Sequence, residues 1–502
     1  MEQIQLIPQP VSVRETGGFF RHRGVPAVSG DAAFAEEMQV VSEQLSALPM
    51  SQGGFGQTGV VCVLDTSISE EEGYAVSIVH DRVAVSASAR KGMFNGLQTV
   101  RQLILAGREG NTFCIPCAEI RDEPRFVWRG CMLDTSRHFY SVSFIKKLID
   151  LAALHHLNVF HWHLTDDQGW RLPVNGYPAL TEIGAWREDR RTTWGNDRLV
   201  GGFYSKEEIR EIVDFAASRH VEVVPEVDLP GHSSAILASY PELGCTGGPY
   251  RVEDRFGIFD DVLCAGNDRI FDLFEAIFDT LAELFPSSYV HIGGDEVKFG
   301  RWEVCPKCHA RMQKLGLEKV PQLQSWITVR LVQMLRERGK TAIGWDEVLE
   351  GTEKLGLPQD LVVMSWRGQE GGIEASSKGH RVIMTPLTDG CYLNFKPLDS
   401  RDEPGHLEVC TVSQSYRMDP VTPEMTAEQA TLVLGGQCNL WSEVIYASRI
   451  AEYMLFPRLC AIAEALWSPK DVRSLDSFAR RLPAHRKKLD ELDVNQFRGP
   501  LS

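Results

Sequence analysis

The run "YVHIGGDEVKFGRW", residues 289–302, sets two carboxylates side by side, Asp295 and Glu296, directly after an apolar stretch and two glycines. Adjacent carboxylates repel, so one of such a pair is pushed toward holding its proton near neutral pH. That is the property of a general acid. Charged residues are usually exposed, and an Asp-Glu pair on its own reads as a polar loop. The glycines favour the chemical reading, because they let the backbone turn sharply and another group approach closely. Tyr289, Val290 and Ile292 read as a buried strand. Acids at the C-terminal end of a parallel strand sit where α/β barrels carry their chemistry.

Other apolar runs end in a similar way. "DTSRH" carries Asp134 and Arg137, and "HWHLTDDQGW" carries His163 and Asp166. "EVDLPGH" supplies Glu226, Asp228 and His232. Trp345 and Asp346, Trp366, Tyr392 in "TDGCYLNF", and Trp441 with Glu443 follow at later strand ends. Carboxylates and arginine bind hydroxyls, while aromatic faces stack on the apolar faces of sugar rings. A lone Trp at a strand end is more often core than ligand contact; three at one barrel face point to an aromatic box. His291 reads equally as a satisfied core histidine or as support for the acids. His161 and His163 are two apart and share a strand face, which allows a metal-dependent amidohydrolase. That chemistry needs further histidines and an Asp at later strand ends, where this chain has Trp345 and Trp366.

The elements that must hold these groups alternate. Strand-like runs at "RGCMLD", "NVFHWHL", "VEVVPEVD", "YVHIGGDE", "TAIGWDEV", "LVVMSW", "RVIMTP" and "TLVLGGQCNLW" are interleaved with amphipathic segments such as "SVSFIKKLIDLAALHHL", with Ser141 as its N-cap. "RIAEYMLFPRLCAIAEALW" reads as one closing helix. Strand and helix in alternation predict a (β/α)₈ TIM barrel over residues 123–502, with a C-terminal helical tail. Residues 1–122 predict a separate small α+β domain. There "YAVSIVHDRVAVSAS" is a strand pair turning at His80-Asp81, and "KGMFNGLQTVRQLIL" has helical apolar spacing at Met93, Leu97, Val100, Leu103 and Ile104.

The 502 residues carry a net charge of −16, which argues against nonspecific nucleic-acid binding. No apolar run approaches the roughly 20 residues that span a bilayer, so no membrane partner is expected. The start, "MEQIQLIPQPVSVRE", lacks a basic n-region and an apolar h-region. This leaves a cytoplasmic protein or an exported one whose signal has been removed. Many of the 12 cysteines sit in apolar strand-like runs, such as Cys62 and Cys131, and read as reduced core residues. Two CxxC pairs, Cys114/Cys117 and Cys305/Cys308, lie far apart in sequence and read as buried thiols or a local disulfide, a structural metal being the minority reading. Cys245 and Cys264 flank a Gly-rich loop and could pair in an oxidising compartment.

With "GYAVSI", "GMFNGLQTVRQL", "DTSRHF", "HWHLTDDQGWR", "PEVDLPGHS", "HIGGDE", "GWDE", "GGQCNLWSE" and "PRLCAIAEALWSP" in this order over nearly the whole length, the chain resembles the family 20 glycoside hydrolases, the β-N-acetylhexosaminidases. The resemblance implies an exo-acting retaining enzyme with substrate-assisted catalysis, an exception to the usual two-carboxylate scheme. It assigns Glu296 as general acid and then base, Asp295 as the group that orients the substrate's acetamido N–H, and Tyr392 as a donor to the acetamido oxygen. It assigns Arg137, Asp166, His232, Trp345, Trp366, Trp441 and Glu443 to substrate binding, with His163 and His291 in support. It implies no cofactor and no metal at the site. The implied partners are glycans ending in a β-linked N-acetylhexosamine, and a homodimer is allowed. The family often has Asp two residues after the tyrosine; Asn394 stands there in this chain, which implies altered local hydrogen bonding. An inactive carbohydrate-binding barrel is the alternative, although the acid and its neighbour are both present.

Overall fold

A computed structural model describes residues 4–50, 58–189 and 198–502. Eight parallel strands close into a barrel: β1 (Trp128–Asp134), β2 (Val159–His163), β3 (Glu222–Glu226), β4 (Tyr289–His291), β5 (Thr341–Trp345), β6 (Val362–Ser365), β7 (Val382–Met384) and β8 (Val433–Leu440). Each pairs with its sequence neighbours, and β8 closes on β1 from Gly435↔Trp128 to Leu440↔Leu133. The strands read as continuous apolar runs because helices cover the outside and packed side chains fill the inside; every residue of β1, β2 and β6 is buried.

The helix starts follow from local chemistry. The Ser141 side chain accepts from the Phe144 amide to cap Val142–Leu154. Ser205 and Glu208 form a reciprocal capping box at Lys206–Ala217. The segment 449–467, expected as one helix, is two: Ser448–Leu455 and Arg458–Trp467. Pro457 lacks an amide proton and its ring clashes with the preceding turn, so the helix cannot run through it.

Before the barrel lies a mixed sheet in the strand order Ser12–Arg23, Thr112–Asp122, Tyr74–Val79, Arg82–Ala87, Thr58–Leu64, Ala27–Gly30. Tyr74–Val79 and Arg82–Ala87 are the antiparallel pair around His80-Asp81. The helix Arg90–Gly107 is buried from Gly92 to Leu105. A helix buried on every side must be covered twice: the sheet takes one face and the barrel helix Val142–Leu154 the other, where Arg101 meets Asp150 at 3.0 Å. No described helix is long and apolar enough to cross a membrane.

All twelve cysteines are free thiols, so Cys245 and Cys264 form no disulfide. Cys114 and Cys117 lie in one strand. Residues three apart in a strand point to opposite faces, so this CxxC cannot act as a ligand pair.

Candidate active site

The C-terminal strand ends surround a cavity of about 360 Å³. Its wall includes Asp295, Glu296, Trp345, Trp366, Tyr392 and Trp441, and its rim Arg137, Asn394, His406, Glu408 and Glu443. Another cavity of similar size, about 370 Å³, lies where the helix Arg90–Gly107 meets the C-terminal helix Leu475–Glu491, and no carboxylate lines it.

The two glycines before the acids have distinct geometric reasons. Gly293 has φ +67° and Gly294 φ +97°. A Cβ on Gly293 would fall 1.8 Å from Asp228 Oδ1. The chain must pass this close because Asp228 accepts the Gly294 amide at 3.0 Å and so anchors the turn. Glu296 itself takes φ +51°, a left-handed conformation that costs a non-glycine residue about 1–3 kcal/mol. The turn leaves the Asp295 side chain 11% exposed and that of Glu296 29% exposed.

Charge crowds here. Burial, then the Asp228 charge, raises Asp295 well above the usual carboxylate range. Burial likewise pushes Asp228 up to about 6 and Glu347 up to about 9, the latter with help from Asp295 and Asp346. Asp295 is the more deeply enclosed of the two acids and faces a third carboxylate, Asp228, which is why its pKa rises. His232 offsets the negative charge: its Nε2 is 3.5 Å from Glu296 and 3.7 Å from Asp295, and its Nδ1 is 3.0 Å from Asp166 and 3.1 Å from Asp167. Burial lowers its pKa, but the charge of Asp166 and bonds to both aspartates outweigh that and hold it well above the ordinary value.

The aromatic residues meet as a cage. Trp345 and Trp441 have ring centres 5.8 Å apart, Trp366 stacks with Tyr392 at 6.1 Å, and Tyr392 is 6.5 Å from Trp441. Trp366 Nε1 donates to Glu347 at 2.8 Å and Trp345 Nε1 to Glu226 at 2.8 Å, which fixes both rings. Burial holds the Tyr392 phenol well above its usual pKa, so it keeps its proton to donate. Arg137 is held by Asp166 at 2.7 Å, Asp134 at 3.2 Å and Gln168 at 3.0 Å, and its guanidinium sits 5.0 Å from the Trp441 ring centre. Among the cavity residues, Asp295 Oδ1, Asn394 Oδ1 and Glu443 Oε2 are buried acceptors without a hydrogen-bond donor. Orphaned buried acceptors cost about 1–3 kcal/mol each, and a hydroxyl- or amide-bearing ligand would satisfy them.

Asp166 and His232 do not line the cavity; they stand behind Arg137 and the acids. His163 bridges Glu226 at 2.5 Å and Asp166 at 2.9 Å. His291 is fully enclosed, 3.0 Å from Glu226 and packed on Trp345 at 4.6 Å. His161 reaches Glu226 at 3.0 Å. Glu226 is therefore the hub of the barrel interior, gathering three histidines and Trp345. His161 and His163 each turn one nitrogen to this hub and the other to Gln437 and Asp166 respectively, and neither residue lines the cavity. The sequence signals only that Glu226 ends a strand. Glu347 and Gln168 also escape a reading by strand ends, because both stand past the strand itself, although within "GWDE" and "HWHLTDDQGW".

The catalytic-domain model of glycosyl hydrolase family 20 matches residues 126–470, and the model of that family's domain 2 matches residues 3–123. A β-hexosaminidase of Porphyromonas gingivalis is 38% identical over 98% of this chain, which spans 64% of that protein's length. A β-N-acetylhexosaminidase of Cellulomonas fimi is 30% identical over 100% of this chain and 97% of its own. An exo-β-N-acetylglucosaminidase of Vibrio harveyi, solved with N-acetylglucosamine, superposes with a TM-score of 0.89 at 30% identity, covering 99% of this chain and 79% of that one. With both family models matched in sequence order across nearly its whole length, the chain belongs to glycosyl hydrolase family 20.

Proposed function

We propose that this protein is an exo-acting, retaining β-N-acetylhexosaminidase that removes terminal β-linked N-acetylglucosamine or N-acetylgalactosamine from glycans. The observation that carries the reading is the meeting of Asp295 and Glu296 with the Trp345, Trp366, Trp441 and Tyr392 cage in one cavity. About 360 Å³ lies at the small end of ligand pockets, roughly 300–1,000 Å³, which suits a single terminal sugar.

In this reading Glu296, the more exposed acid, protonates the glycosidic oxygen as the aglycone leaves. The substrate's acetamido oxygen attacks the anomeric carbon and closes an oxazolinium ring. Asp295 orients the acetamido N–H and opposes the positive charge that develops there. The cationic ring would draw the Asp295–Asp228 pair toward its ionised form, since a nearby positive charge favours a carboxylate anion. Tyr392 donates to the acetamido oxygen, and the three tryptophans enclose its methyl group and exclude water. Glu296 then takes a proton from the incoming water, which attacks from the face the aglycone left and gives net retention. Arg137, Glu443 and Asn394 bind ring hydroxyls. Asp166, His232, His163 and His291 hold the binding residues in place.

A panel of aryl glycosides tests this. The β-N-acetylglucosaminide and β-N-acetylgalactosaminide should be hydrolysed, and the plain β-glucoside should react orders of magnitude more slowly. A thiazoline that mimics the cyclic intermediate should bind far more tightly than substrate. A glycosyl ester on Asp295 or another carboxylate, trapped with a fluorosugar and seen by mass spectrometry, would overturn the mechanism.

A further inference from the structure

Four thiols that lie far apart in sequence meet beside the catalytic turn. Cys245 and Cys264 come from the β3–β4 connection, and Cys305 and Cys308 from the β4–β5 connection. Their sulfur atoms all lie within 4.8 Å of one another. Sγ separations are 3.7 Å for Cys264–Cys308, 3.8 Å for Cys264–Cys305 and 3.9 Å for Cys245–Cys308. A tetrahedral zinc with Zn–S bonds of about 2.3 Å requires sulfurs about 3.8 Å apart. We propose that Cys245, Cys264, Cys305 and Cys308 form a structural tetrathiolate zinc site.

The surrounding backbone is built to bring these sulfurs together. Gly244 bridges Leu263, and the Cys264 amide donates to Leu243 at 2.9 Å, so Cys245 and Cys264 sit on one short paired ribbon. Cys305 is the N-cap of the helix Pro306–Leu315, and Cys308 lies in its first turn. The spacing of a CxxC across a helix start presents both thiols to one side, and the positive end of the helix favours thiolates. A Cβ on Gly266 would lie 2.2 Å from the Lys307 carbonyl carbon, so only glycine lets the two connections approach this closely. Trp302 Nε1 donates to the Leu263 carbonyl at 2.9 Å and seals the cluster.

A cluster of buried free thiols could instead be plain apolar packing. That reading gives no reason for four sulfurs to converge from two connections with three separations near the tetrahedral edge. Four soft sulfur donors and no oxygen donor select zinc over magnesium or calcium. The site joins the connection bearing His232 to the one bearing Glu296, so zinc would fix their mutual placement without touching substrate.

Metal analysis of the full chain, purified without chelator or immobilised metal, should find about one zinc per chain. A mercurial that titrates the thiols should release that zinc to a chromogenic chelator. The double variant Cys305→Ser/Cys308→Ser should lose zinc and melt at a lower temperature, whereas Cys114→Ser should keep it. If the double variant does not fold, Co(II) exchanged into the wild type should give the charge-transfer and visible bands of tetrahedral tetrathiolate cobalt. The proposal is overturned if wild-type protein expressed with added zinc holds none. It is also overturned if peptide mapping finds Cys245 and Cys264 joined as a disulfide, or if the cobalt spectrum shows no thiolate ligation.

Discussion

Gly293→Ala tests whether the turn before the acids is set by steric necessity. Two costs can be worked from the structure. Gly293 has φ +67°, where an L-residue is disfavoured by about 1–2 kcal/mol. The new Cβ would also meet Asp228 Oδ1 at 1.8 Å, its Cγ at 2.2 Å and its Cα at 2.7 Å. The last is backbone, so rotating the side chain cannot relieve the contact. Displacing Asp228 breaks its bond from the Gly294 amide, and a hydrogen bond to a charged group contributes about 1.5–3 kcal/mol. Together these predict a loss of about 2.5–5 kcal/mol. Unfolding entropy near 2.1 cal/mol/K per residue converts this, over a chain this long, to a fall in Tm of about 2–5 °C. Activity should suffer more, because a shift of about 1 Å at reacting groups can lower rate by about 10²-fold. The matched control is Gly339→Ala, where φ is +69° and no atom lies within 4 Å of the added Cβ. It incurs the backbone strain alone and should keep kcat. The assay is kcat on an aryl β-N-acetylglucosaminide beside a thermal melt. If Gly293→Ala keeps kcat within twofold and melts with the control, the steric account of this turn is wrong.

Glu296→Gln should lower kcat by about 10² to 10⁴ on alkyl glycosides, and by less with a good phenolate leaving group, which needs little protonation; equal losses on both would contradict its role as acid. Asp295→Asn should lower kcat although Glu296 remains, because a neutral amide cannot oppose the oxazolinium charge; wild-type turnover would refute this. Asp228→Asn should move the acidic limb of the kcat/KM profile to lower pH. Removing a neighbouring negative charge favours the Asp295 anion, so Asp295 loses its proton at lower pH. A limb that stays in place or moves to higher pH would show that Asp228 does not set the ionisation of Asp295.

Much of this protein is legible along the chain because its signals are local. Barrel strands buried on both faces appear as short apolar runs, and the helices between them announce themselves through caps such as Ser141 and through apolar spacing. Asp295 and Glu296 stand out by adjacency and by the glycines before them, and the tryptophans by their place at strand ends. What the chain alone does not disclose depends on residues that only barrel closure brings together. Glu226 gathers His161, His163, His291 and Trp345 from three other strands, so nothing near it in sequence marks it as the hub. Adjacency foretold that one carboxylate would be pushed up, but it is burial, then the nearby Asp228, that raises Asp295. The cysteines show the same division: CxxC is visible in the sequence, but only the meeting of two connections around β4 turns Cys305 and Cys308, with Cys245 and Cys264, into a four-sulfur cluster. Local pattern determines the elements and the residue types at their ends, whereas distance, dielectric and steric contact exist only once the barrel has closed.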